Sequence, residues 1–264
     1  MTIADTHPTA GHVKPEPAVT FTTMGTVASF RSPDPRARVL VPDIAALFTA
    51  ADERFSLYTP DSELSRINAG QLRLPAASQE LRDMYAPAVS WDHATRGGFT
   101  PTAPNGSLDL NGVVKAAALA QAAELLSAVH AGNWCLNVGG DIIADGNQHD
   151  GTPWTIGVTD PTHPGTLLGH LATAPDRSAV ATSGVDQRGN HIWRKPRTTA
   201  RQAPVLIQAT VSAADIIKAD VLATAVISAG PESIRHYANE FDVDILAVDS
   251  LGAIVSSHAQ PNQN

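Results

Sequence analysis

The chain has 264 residues, 43% hydrophobic and 17% charged, which excludes low-complexity disorder and a fibre and is long enough to bury a sizeable core. Lys plus Arg number 18 against 26 Asp plus Glu, a net charge of -8, so no basic face is expected for a nucleic-acid backbone and no nucleic-acid partner is assigned. The single cysteine, Cys135, excludes an intramolecular disulfide and an all-cysteine metal cluster.

Residues 1–18 mix Pro, Thr, His and Gly without apolar periodicity and lack the charged-then-apolar order of a signal peptide, so a flexible N-terminal segment and a cytoplasmic protein are expected. PAVTFTTMGTVASF alternates as a strand does, and DIAALFTAADERFS after it has helical spacing with Asp43 placed as N-cap, so strand then helix is expected. Thr59-Pro60 offers a cap and a first helical position ahead of DSELSRIN. SQELRDMYAPAVSWDHATRGG reads as a helix interrupted by Pro87 and ended by Gly97-Gly98.

From Gly112 to Gly132 no breaker occurs, which predicts one long helix with a polar start. NWCLNVGGDIIADG gives two strands around Gly139-Gly140, and WTIGVTD, SAVATSG and PVLIQATVSA give three more. DIIKADVLATAVISAG is helical, and DILAVDSLGAIVSS is a hairpin turning near Ser250-Leu251-Gly252, before a polar tail over 256–264. Strands and helices mix without strict alternation, so the expectation is α+β: a single compact domain over 19–255, a mixed β-sheet with packed helices. No run is long and apolar enough for membrane insertion.

Four places could carry chemistry. In LDLNGVVK, Asp109 and Lys115 surround a helix start, whose amides and dipole favour anions; a plain cap at Asp109 or Asn111 with a solvated Lys115 uses the same residues. Only four of the 18 basic residues are Lys, which makes Lys115 conspicuous in its Ala-rich run. The paired glycines of VGGDIIADG allow close backbone approach, or mark an ordinary turn. In KADVLAT, Asp220 and Thr224 lie one helical turn apart and offer a carboxylate and a hydroxyl to a hard cation, unless the Thr bonds its own helix. His191 stands between strand-like segments as a candidate proton acceptor, and Trp193 beside it can stack on a ring or cover core.

Taken in chain order, MGT at 24–26, FSLYTPDSELSRIN at 55–68, LDLNGVVK at 108–115, NVGGDI at 137–142, ATSG at 181–184, His191 and KADVLAT at 218–224 resemble the ApbE family of FAD:protein FMN transferases over roughly residues 20–255. The resemblance implies a metal-dependent enzyme that takes FAD and Mg2+, moves FMN onto a Thr hydroxyl of an acceptor flavoprotein and releases AMP. The alternative within the same resemblance is an FAD-binding protein, or a Mg2+-dependent FAD pyrophosphatase without protein transfer.

Carried over by position, Met24 and Tyr58 would flank the flavin nucleotide, Phe99 and Thr100 would occupy a Phe-Asp contact, and Asp109 and Lys115 would meet FAD. Trp193 joins this flavin-side group. The metal would be held by the Gly112 carbonyl, Asp220 and Thr224, and the proton acceptor would be His191 or Asp220. The chain departs from the family where Lys-Gly-Tyr becomes Lys115-Ala116-Ala117, where Ala120 and Thr100 replace Asp, and where Asp-Pro-x-Thr-Gly after His191 is lost.

Overall fold

The computed structural model describes residues 17–184 and 204–257. Strands β1 (Val19–Thr23) and β2 (Thr26–Arg31) form a hairpin, and its turn residues Met24 and Gly25 both have positive φ, 46° and 69°, matching the twist of a two-residue connection. A short helix α1 (Pro35–Arg38), capped by Asp34, leads into α2 (Val41–Phe55). The N-cap of α2 is Leu40. Asp43, expected as the cap, lies inside the first turn, where its carboxylate still favours the positive end of the helix dipole.

Helix α3 (Glu63–Asn68) also starts later than its Thr-Pro signal suggests: Ser62 is the cap, its Oγ accepting from Ser65 N at 3.0 Å. Ser62 Oγ also donates to Ser56 O at 2.6 Å and ties α3 to the end of α2. Helix α4 (Gln79–Ala94) runs through Pro87 without stopping. An interior proline costs a helix about 3 kcal/mol, and the burial of Leu81 and Ala88 on either side of it anchors the helix to the core.

Helix α5 (Asn111–Ala128) follows, then β3 (Trp134–Val138) and β4 (Asp141–Asp145) around the Gly139-Gly140 turn, where both glycines have positive φ. Next come β5 (Thr155–Thr159), β6 (Leu167–Ala172), β7 (Ala179–Gly184) and β8 (Leu206–Ala213). Helices α6 (Ile216–Ala229) and α7 (Ile234–Phe241) precede the hairpin β9 (Asp244–Asp249) and β10 (Ile254–Ser256). The sequence pattern misses α1, β6 and α7. In β6, LLGHLA lacks an alternating apolar face, because the strand is largely exposed.

The α+β class is observed, with every described strand pairing antiparallel. Eight strands form one sheet in the order β1-β2-β3-β4-β7-β8-β9-β10. Register places Phe30 opposite Leu136, Leu136 opposite Ile143, Ile143 opposite Ala179 and Ala181 opposite Val211, so these residues share one face. That face packs beneath the helices. α5 lies against α2 and α6, and α6 lies on β7 and β8. α5 is buried from Val113 to Leu119 without a break, and its alanines let the neighbouring helices approach closely. The opposite face is partly covered by the β5–β6 ribbon, which buries Trp154, Ile156 and Val158. Among the described residues no helix is long and apolar enough to cross a membrane.

Candidate active site

A cavity of about 610 Å3 opens where the β1–β2 turn, the end of α2, the start of α5 and the face of α6 converge. Met24, Asp52 and Tyr58 line one side, and Phe99, Thr100, Asp109, Gly112 and Lys115 another. Gly139, residues 182–184 at the end of β7, and Asp220, Thr224 and Ser228 of α6 complete it. Tyr58 is 79% exposed at the rim, an aromatic ring with a free face.

The start of α5 is built by local bonds. Asp109 Oδ1 accepts from Asn111 N at 2.9 Å, and Asp109 N donates to Pro101 O at 2.9 Å, so the loop is pinned on both sides of the carboxylate. The N-cap residue itself is Leu110, which offers no side-chain acceptor. Asn111 N is taken by Asp109, and Val113 N and Val114 N by Leu110 O, while Gly112 lines the cavity at the positive end of the helix dipole.

Phe99, 3% exposed, is fixed by Thr95: the Phe99 N–H donates to Thr95 Oγ1 at 2.9 Å, and Thr95 Oγ1 donates to Trp91 O at 2.7 Å. The Tyr237 hydroxyl donates to Thr95 O at 2.8 Å, and burial raises that phenol above its ordinary pKa. Thr100 donates to Asp92 Oδ2 at 3.2 Å, so a carboxylate does stand beside the position where the sequence lacks one. A Cβ placed on Gly112 would come within 2.8 Å of Phe99 Cε2. Gly112→Ala is therefore expected to destabilise the fold by about 1–3 kcal/mol, the usual cost of overpacking, and Phe99→Leu in the same chain is expected to recover part of it in urea unfolding.

Lys115 is not the solvated first-turn residue that capping alone would make it. It is 6% exposed and ion-paired with Asp141, which is fully buried at the first position of β4. On α6, Asp220 is 5% exposed, and Thr224 one turn later has its Oγ1 3.0 Å from Ser183 Oγ at the end of β7. The donors gathered here are a carboxylate and hydroxyls. Among the described residues no group of three or more His, Cys, Asp or Glu could enclose a metal. Such a set suits Mg2+, which takes one or two carboxylates and leaves its other positions to water and phosphate.

Nine of the residues marked out by sequence line this one cavity: Met24, Tyr58, Phe99, Thr100, Asp109, Gly112, Lys115, Asp220 and Thr224. His191 and Trp193 lie outside the described residues. Sequence reasoning missed Asp141, Ser183, Asp52 and Ser228. Asp141 was visible as the residue after Gly-Gly but reads there as turn punctuation, and Ser228 continues the four-residue spacing of Asp220 and Thr224. Cys135 takes no part, as its thiol is pushed up to about 12 by burial.

The chain is similar to known proteins. A curated FAD:protein FMN transferase of Haemophilus influenzae is 22% identical, over 78% of this chain and 77% of that protein. The flavin transferase ApbE of Vibrio cholerae superposes with a TM-score of 0.72 at 21% identity, covering 90% of this chain and 95% of that one. The apo flavinyl transferase ApbE of Pseudomonas stutzeri gives 0.72 at 20% identity over 91% and 95%, and the ApbE protein of Thermotoga maritima 0.73 at 19% over 91% and 96%. The model of the ApbE family matches residues 24–106 and 103–248, and with the cavity formed by those segments, the chain belongs to the ApbE family.

Proposed function

We propose that this protein is a Mg2+-dependent FAD:protein FMN transferase, which moves FMN from FAD onto a Thr hydroxyl of an acceptor flavoprotein and releases AMP. The observation that carries the reading is the convergence in one cavity of an oxygen-donor pair, Asp220 and Thr224, with the start of α5 and an exposed aromatic, Tyr58. A dinucleotide needs those three things: an apolar face for a ring, and positive potential together with a cation for its pyrophosphate.

Under this reading Asp220, Thr224 and the Gly112 carbonyl hold the cation, and Met24, Tyr58, Phe99, Thr100, Asp109 and Lys115 hold FAD. Bound Mg2+ would supply Lewis-acid polarisation of the phosphoryl oxygens. The Thr oxygen of the acceptor attacks the phosphorus of the FMN half, the bond to the bridging pyrophosphate oxygen breaks, and AMP leaves with that oxygen. The Thr proton passes to His191 or Asp220. The start of α5 brings Gly112 and the positive end of the helix dipole to the pyrophosphate, so charge that builds on the leaving phosphate meets a preoriented dipole. Asp109, pinned between Pro101 and Asn111, orients that helix start.

Mass spectrometry of a Thr-bearing acceptor incubated with the protein, FAD and Mg2+ tests the proposal. The expected result is a mass gain equal to one phosphoester-linked FMN, lost in EDTA. Free FMN and AMP without acceptor labelling would replace transfer by pyrophosphate hydrolysis, and intact bound FAD would replace it by binding alone.

A further inference from the structure

β7 runs on past the start of β4, which begins at Asp141. The two strands pair at Ile143 with Ala179 and at Ile142 with Val180, and the pairing ends there, although β7 continues to Gly184. Beyond the start of β4 the Asp141 side chain stands in for a ladder bond: Thr182 N donates to Asp141 Oδ1 at 3.3 Å. The other oxygen, Oδ2, pairs with the Lys115 ammonium. One fully buried carboxylate thus joins the wall strand of the cavity, the start of α5 and the Gly139-Gly140 turn that precedes it in the chain.

Each partner leads into the cavity. Lys115 lines it directly, and Thr182 is followed by Ser183, whose Oγ lies 3.0 Å from Thr224 Oγ1. A buried ammonium keeps its charge only beside a counter-ion, since desolvation disfavours the charged form. Asp141 provides that counter-ion from behind the wall. We infer that Asp141 is a positioning residue: it fixes the Lys115 ammonium at the cavity wall for the anionic part of the bound dinucleotide, while its second oxygen holds the β7 end in register with α6.

The inference rests on the FAD reading above and separates the two oxygens of one side chain. Asp141→Asn keeps an acceptor for Thr182 N and the volume of the site, and removes the charge that Lys115 faces. The amine then loses the charged partner that fixes it at the cavity wall.

The expected result for Asp141→Asn is an FAD Kd at least about tenfold higher by flavin fluorescence, roughly one lost charge-assisted contact. The Mg2+ concentration for half-saturation of the FAD complex should stay within about twofold, because Thr182, Ser183 and Thr224 keep their bonds. If Asp141 acts through Lys115, the Asp141→Asn and Lys115→Met double variant binds FAD as Lys115→Met alone does, since a positioning effect on an absent ammonium is zero. A Kd within twofold of the parent for Asp141→Asn, or a double variant markedly weaker than Lys115→Met alone, overturns the inference while leaving FAD transfer by the parent intact. Failure of the parent protein to bind FAD at all overturns the functional reading and this inference with it.

Discussion

Asp220→Ala is expected to lower FMN transfer at least about 100-fold at saturating FAD, the scale of losing an essential contact to a Lewis-acid centre. The carboxylate sits on the second turn of α6, 5% exposed, with Thr224 one turn beyond it on the same face of the cavity. Its neighbours Ala219 and Val221 are fully buried, so the helix is held by packing that the truncation leaves in place. Unfolding by urea should therefore show a folded, cooperative variant. Asp220→Asn separates charge from shape: it retains volume and a carbonyl oxygen, and it is expected to recover some activity only at raised Mg2+. Transfer by Asp220→Ala above a tenth of the parent rate at ordinary Mg2+ would remove Asp220 from the site.

Lys115→Met is expected to destabilise the fold by about 3–5 kcal/mol, because it leaves the buried Asp141 carboxylate without its partner ammonium. Removing one member of a buried pair costs more than the pair contributes, since the remaining charge has been taken out of water with nothing to offset it. For a chain of this size the loss corresponds to a melting temperature lower by roughly 6–15 °C. Adding Asp141→Asn to Lys115→Met removes the uncompensated charge and should return most of that stability. Equal melting temperatures for Lys115→Met and the parent would mean that the pair is not closed in solution.

The regular elements were legible where one physical signal dominated. The alternation of PAVTFTTMGTVASF gives strand, although the turn at Met24-Gly25 that splits it into β1 and β2 goes unread. The unbroken run after Gly112 gives α5, because period and breakers there agree with burial. Legibility failed where a later contact decided the matter. Asp43 has the chemistry of a cap, yet the chain turns into α2 at Leu40, since Ile44 and Phe48 must reach the core. Pro87 has the chemistry of a breaker, yet packing carries α4 through it.

At the site, the residue types and their order were readable, and the nine lining residues follow them. What sequence could not give is partnership across the fold. Lys115 and Asp141 belong to different motifs and meet only because the sheet brings β4 under α5. Thr224 and Ser183 meet for the same kind of reason, across α6 and β7. The carboxylate near Thr100 comes from Asp92 on α4, and no spacing rule links them.

The ribbon of β5 and β6 has a different standing from the rest of the sheet. Its two strands pair only with each other, and described side-chain links to the large sheet run through Gln208 Nε2 to Thr159 O at 2.9 Å and Trp154 Nε1 to Asp145 O at 3.1 Å. Its buried Ile156 and Val158 stand apart from the main core cluster. A unit held that way opens as its own cooperative piece, with a smaller free energy than the eight strands behind it. None of the ribbon's residues is among the described residues lining the cavity, so amide exchange in the ribbon is expected to run faster than in the eight-stranded sheet while FAD binding is unaffected.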